Sequence, residues 1–470
     1  MQKLRLIIIG LLFLNCSSLL AGKVELKGTI PDFAGQKLEF LTYSDQITFT
    51  EKLLCTATVD SSGQFECSFE TNETIYVFLY LGIYEAFIFT EPDKEYALLF
   101  PEKTEKTIAD NLNPFFEPIL YHLGIENSSE NELNYLLAWF NYEYTEMFKA
   151  NAYLINIKSP EFNALNELSK LDSIFKNIDN DFFNNFKTYT YASFLHISNH
   201  QKSKSISNLY YLNNKILYHN KAYMELFNQV YDKYFDYFGR TENGEKIYSD
   251  INKLKSITAL KKTLGNDSIL KNDTLKELVI LKCIHDEFYD DKLSRSALLV
   301  VLDSLALQTN LNEHKLIAEN IRKKVTRLMV GFEPPYFELL DKDSNLVSLQ
   351  SFKGKYVYLG FCVSLSYACI QEFEMLRKIH ERQKQNFEIV IISMDDNLTQ
   401  MKNFIEKKEY PFIFLHYGNQ SEVFKEFDIR AIPTYYFIDK NGKLALSPAA
   451  TPGENIEYYI FQVMRKNGDI

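Results

Sequence analysis

The period of the hydrophobic pattern changes twice along this chain, and few folds accommodate both changes. From Lys23 to about Pro101 apolar residues alternate in short runs such as "KVELKGTI", "QKLEFLTY" and "TIYVFLYL". Turn residues ("PDFAG", "DSSG", "EPDK") separate these runs, and β-branched and aromatic residues dominate them. A period of two between turn signals predicts half-buried strands, hence a small antiparallel β-sandwich over 23–110. From 111 to 328 the apolar spacing becomes three and four, as in "LKELVILKCIHDEFYDD" and "EHKLIAENIRKKVTRLMV". That spacing places apolar side chains on one helical face and predicts an all-α region. Over 329–470 short apolar strands alternate with amphipathic helices, which predicts an α/β layer structure around a mixed sheet. Three units fit 470 residues, too long a chain for one ordinary core.

The first 22 residues precede all three. In "MQKLRLIIIGLLFLNCSSLLAG", Lys3 and Arg5 lead into the apolar run Leu6–Leu14, the pattern of an export signal. Cleavage near Gly22 is expected; lipidation at Cys16 is the alternative and would be the chain's only route to a membrane. Export implies an oxidising compartment in which cysteine pairs persist. Without Cys16 five cysteines remain: Cys55, Cys67, Cys283, Cys362 and Cys369. The stretch "CTATVDSSGQFEC" reads as a hairpin that sets Cys55 and Cys67 roughly opposite each other, a candidate structural disulfide. Cys283 falls on an apolar helical face and reads as a small core side chain. The net charge of −11, with no basic cluster, excludes a nucleic-acid surface. His196 and His200 are four apart but lack an acidic or cysteine partner at metal-ligand spacing. Neither a metal nor another cofactor is expected.

The last 140 residues resemble the thioredoxin superfamily, in its exported TlpA/ResA-like branch related to AhpC/TSA. The matching stretches run in order: "PPYFELLDKDSNLVSLQSFKGKYVYLGF", "FCVSLSYACIQEFEML", "IISMDD" and "FDIRAIPTYYFIDKNGKL". The resemblance implies a thioredoxin-like fold, thiol–disulfide exchange with protein or peptide thiols, and an envelope location such as the periplasm of a Gram-negative bacterium. It places the family's first cysteine at Ser366 and its second at Cys369. The cis-proline falls on Pro433, and Glu372 fits the helix acid. Cys362 falls on the family's tryptophan, and Gly360 on a buried acid that moves protons.

A serine at the exposed helix start cannot ionise or form a disulfide, so this SxxC motif is a degenerate dithiol site. Three outcomes are open. Exchange is impaired or lost; or the groove at Ile432, Pro433 and Thr434 binds peptide without redox chemistry; or Cys369 acts as a peroxidatic thiol with Ser366 orienting the peroxide. The last reading lacks its proline (Cys362) and its arginine (Pro433), and Arg430 lies in the preceding loop. Cys362 is a further candidate partner for Cys369. The turn through Leu365 and Ser366 is expected to hold their Cα atoms beyond the roughly 7 Å that a disulfide tolerates.

Overall fold

The computed structural model describes residues 21–107, 110, 113, 116–418 and 421–470. The export signal and Cys16 lie outside them, apart from Ala21 and Gly22. Among the described residues no helix is long and apolar enough to cross a membrane.

The N-terminal strands are β1 (Gly22–Thr29), β2 (Lys37–Tyr43), β3 (Glu51–Thr58), β4 (Gln64–Thr71), β5 (Ile75–Leu81), β6 (Tyr84–Thr90), β7 (Glu95–Leu99), β8 (Ile119–His122) and β9 (Gly124–Ile125). They form a four-stranded sheet, β4-β1-β7-β9, and a five-stranded sheet, β3-β2-β5-β6-β8. Alternation along β1, β4 and β2 turns Leu26, Phe65 and Phe40 inward, where they join Val77 and Ile88 in one core. Two expectations need correction. The sheets are not wholly antiparallel, because β1 pairs in parallel with β7 and β6 with β8. The chain returns to each sheet by a crossover, and period-two patterning does not encode strand direction. The strand region also continues past residue 110, since β8 and β9 complete the two sheets.

Cys55 and Cys67 are disulfide-bonded, with Cα atoms 6.1 Å apart. They are not cross-strand neighbours in a hairpin: β3 pairs with β2, and β4 with β1. The turn between them passes so close to another backbone that a Cβ on Gly63, at φ +83°, would lie 2.6 Å from Pro31 Cα. The chain therefore changes sheets there, and the bridge ties the two sheets together.

Helices follow from Leu133–Asn156 to Asn312–Thr326. Several begin at asparagine or serine: Asn163, Asn180, Asn220, Ser256, Asn272 and Ser294 each accept a hydrogen bond from the backbone N–H three residues on. Their apolar faces close a large core that includes Ile47, Tyr76, Phe78 and Phe89, so the helices cover one face of the five-stranded sheet. Cys283 is wholly buried among them.

The last unit has strands β10 (Glu338–Asp341), β11 (Leu346–Ser348), β12 (Tyr356–Cys362), β13 (Phe387–Ser393), β14 (Ile413–His416), β15 (Thr434–Ile438) and β16 (Leu444–Ala449). Its helices are α1 (Tyr367–Gln383), α2 (Leu398–Lys408), α3 (Ser421–Glu426) and α4 (Ile456–Lys466). The sheet order is β11-β10-β14-β13-β12-β15-β16. β12 is parallel to β13 and antiparallel to β15. All seven β12 residues are buried, as a central strand covered on both faces requires. Alternation sorts them: Val357, Leu359 and Phe361 enter one core, while Tyr356, Tyr358 and Cys362 face the core that also holds Cys369 and Phe373 of α1. β14 and α3 were not read from the sequence. Four strand residues after Pro411 are too short a run to show a period.

Candidate functional site

The site forms where β12 ends and α1 begins. Cys362 is the last strand residue, and the turn 363–366 folds the chain back over it, closed by the Ser366 N–H donating to the Val363 carbonyl at 3.1 Å. A buried clamp holds this turn. Asp395, just beyond β13, accepts from the Ser364 N–H at 2.9 Å and the Ser364 hydroxyl at 2.7 Å. Ser393 donates to the other carboxylate oxygen at 2.6 Å. Sequence reading missed this clamp; its signal is the acid of "SMDD" directly after a buried strand.

Ser366 is the N-cap of α1, and its hydroxyl accepts from the Cys369 N–H at 3.4 Å. The residue type at the family's nucleophile position therefore serves as a helix cap, a role serine fills well. Leu365 and Tyr367 on either side are exposed, whereas Cys369, one turn into the helix, is fully buried.

Cys362 and Cys369 are both free thiols and belong to the same buried core. The tight turn brings the strand end over the first helical turn, so the backbone N–H of Val363 also points at the Cys369 sulfur. Cys362, the Val363 N–H and the Ser366 hydroxyl surround the Cys369 thiol and favour its charged form. The Cys362 bond does most to lower the Cys369 thiol, to about 7, against the opposing effects of burial and of the Glu372 charge. Burial drives the Cys362 thiol the other way, well above its ordinary value, and its bond to Cys369 adds to the rise. The pair therefore keeps its proton on Cys362 and its charge on Cys369.

Behind the thiols lies Tyr435 of β15, whose hydroxyl is 3.8 Å from Cys362 Sγ. Tyr435 also hydrogen-bonds Glu372, whose carboxyl is pushed up by burial and by the Glu454 charge despite that bond. The second oxygen of Glu372 is buried without a hydrogen-bond partner. Gly360 explains the ring's place. A Cβ there would lie 2.6 Å from Tyr435 Cε1, and Gly360 pairs with Tyr435 across the strands. An acid at 360 and this ring are mutually exclusive. The Tyr435 ring fills the space that a side chain at 360 would take.

The Ile432–Pro433 peptide bond is cis. Thr434, paired with Phe361, fixes Pro433 beside the end of β12, and its hydroxyl donates to the Ala431 carbonyl at 2.5 Å. Ile432, Pro433 and Thr434 are half-buried at the surface next to the turn. Glu372 does not join that surface but points inward to Tyr435. Tyr435 and Tyr436 are core residues on opposite faces of the sheet, whereas Tyr367 at the head of α1 is exposed. Arg430 pairs with Asp428 at 2.9 Å on the surface and does not serve Cys369. His196 meets Ser203 at 3.0 Å.

A central strand, a helix opening on an SxxC motif and a cis-proline beside it define a thioredoxin-like domain. Residues 330–447 match the AhpC/TSA family model. Thiol-disulfide oxidoreductase ResA of Bacillus thuringiensis subsp. konkukian (strain 97-27) is 28% identical over 123 residues, 26% of this chain and 70% of its own. Tryparedoxin of Trypanosoma brucei brucei is 32% identical over 116 residues, 24% of this chain and 78% of its own. A solved thiol:disulfide interchange protein from Bacteroides sp. is 25% identical, covering 30% of this chain and 90% of its own, with a TM-score of 0.27. The chain belongs to the thioredoxin superfamily, in its TlpA/ResA-like branch.

Proposed function

We propose that this is an exported thioredoxin-like protein of a Gram-negative cell envelope, a thiol–disulfide oxidoreductase by descent whose exchange with protein disulfides is impaired or lost. One observation carries the reading: the helix start is capped by the Ser366 hydroxyl, and the thiol three residues on has no exposed surface. Attack on a protein disulfide needs an accessible thiolate, and an alcohol stays protonated at any physiological pH. The name of the ResA relatives supports thiol chemistry as the ancestral activity and protein thiols as the ancestral partners.

A second role, peptide binding without turnover, is favoured by the half-buried Ile432–Thr434 segment beside the exposed Leu365 and Tyr367. An extended chain can lie along that surface. The peroxidase reading loses support because Arg430 is engaged by Asp428. The N-terminal sheets, taken as one sandwich, and the helices after them are proposed as accessory units. The test is insulin reduction driven by dithiothreitol. The purified chain is expected to stay at the uncatalysed rate while an intact dithiol ResA turns over; a rate matching ResA refutes the proposal.

A further inference from the structure

We propose that the cavity where the Ser44–Gln46 loop meets the helices binds a small ammonium with an apolar body. It lies outside the thioredoxin-like unit, so this goes beyond the function proposed above and does not rest on it. The cavity holds about 270 Å³, just under the roughly 300–1,000 Å³ that drug-sized ligands take, so its ligand is a small one. Met224 and Ile317 give it a buried apolar floor, which favours a hydrocarbon part. Two carboxylates line it, those of Asp45 and Glu313, and among the described residues no lysine or arginine does. Asp45 is spent on the Ile47 and Thr48 N–H groups and the Asn320 amide, so it contributes field more than contact. Glu313, exposed in the first turn of the helix Asn312–Thr326, forms no ion pair among the described residues and is left for direct contact. His219, which can carry positive charge, is answered by Glu73 at 3.2 Å. A wall with acids and no fixed cation attracts a cation.

Tyr218 supplies the aromatic wall, and a buried chain of hydrogen bonds fixes it. Its hydroxyl meets Nε2 of His314 at 2.9 Å, and Nδ1 of the same ring meets Glu277 at 2.9 Å. His314 is wholly buried. Glu277 also accepts from Thr309 at 2.8 Å and from Lys261 at 2.6 Å. Burial pushes the Glu277 carboxyl up, but the hydrogen bonds from His314, Lys261 and Thr309 outweigh it and hold the group at about 2. Glu277 is therefore a carboxylate, and Nδ1 carries the proton that faces it. In a singly protonated imidazole Nε2 then accepts from the Tyr218 hydroxyl. The phenol oxygen keeps a lone pair but has no proton to give, which suits an N–H donor and rejects a carboxylate. Burial raises the Tyr218 hydroxyl, and the Glu313 and Glu277 charges add to the rise, so the ring stays neutral in their negative field. An ammonium over such a ring gains from its π face as well. Charge and hydrogen-bond polarity thus select the same ligand class.

The test titrates the native full-length protein with phenethylammonium by calorimetry, at about pH 8 and about 0.15 M salt. An ordinary histidine is singly protonated there, and attraction to the acidic surface at large is screened. One saturable site per chain is expected. Hydrocinnamate, which puts a carboxylate on the same hydrocarbon, should bind at least about tenfold more weakly. Glu313→Gln alters only an exposed side chain and should weaken phenethylammonium by at least about threefold. Tyr218→Phe, in protein with native circular dichroism, should weaken it by about three- to tenfold. No saturable binding below about 10 mM overturns the proposal. So does hydrocinnamate binding as tightly as phenethylammonium, or an affinity for phenethylammonium that Glu313→Gln leaves unchanged.

Discussion

Replacing Cys362 with alanine should discharge its neighbour. The Cys362 hydrogen bond is the largest influence lowering the Cys369 thiol from 9.0 to about 7. At pH 7 the native thiol is therefore about half ionised. In Cys362→Ala the Val363 N–H and the Ser366 hydroxyl remain, so the midpoint should rise by about one unit or more, costing the thiolate about 1.4 kcal/mol. The ionised fraction at pH 7 then falls to roughly a tenth or less. Stability follows with a definite sign. A thiol whose folded value lies below its unfolded one stabilises the fold above the unfolded value and loses that contribution as pH falls through the folded one. The wild type should thus gain stability over Cys369→Ser between about pH 7 and 9, by up to about 3 kcal/mol, and Cys362→Ala should lose most of the gain. Cys362 itself is raised, so it begins to weigh against the fold only above about pH 9. The assay is a titration of thiolate ultraviolet absorbance in a Cys283→Ala background, with urea unfolding at each pH. A midpoint that stays near 7 in Cys362→Ala refutes the assignment of the proton.

Two further outcomes concern the fold. Gly360→Ala should destabilise the C-terminal unit by about 1–3 kcal/mol, because its Cβ would lie 2.6 Å from the Tyr435 ring; unchanged urea unfolding would contradict the packing. Cys55→Ser opens the bridge between the N-terminal sheets, closed over a separation of 12 residues, and should cost about 2–4 kcal/mol; a melting temperature equal to the wild type's would contradict a structural role.

Much of this architecture was legible because burial imposes a period. "YVYLGF" and "IVII" announce central strands through unbroken apolarity, and "AIPTYYF" places Pro433 at a strand start. Ser366 and Cys369 were located by their order along the chain. Strand direction was not legible, because parallel and antiparallel partners share one alternation, which is how β7 and β8 escaped. The hairpin reading of Cys55 and Cys67 assumed that neighbours in sequence pair, but a turn can also carry the chain from one sheet to another. That Cys362 and Cys369 share one core was hidden for a related reason. Seven residues of separation fix no distance when the turn between them is pinned from outside by Asp395. The pattern of β15 does not reveal what Tyr435 packs against, and only its fit against Gly360 gives its place in the core.

The central claim is that one atom at the head of α1 separates this site from a working dithiol. It is tested most directly by measuring insulin reduction with the Ser366→Cys variant beside the wild type. A thiol at the half-buried cap position would stand one helical turn from Cys369 and nearer the surface than it, so turnover should rise by at least about tenfold over the wild-type rate. A variant that folds yet reduces insulin no faster than the wild type would contradict the account.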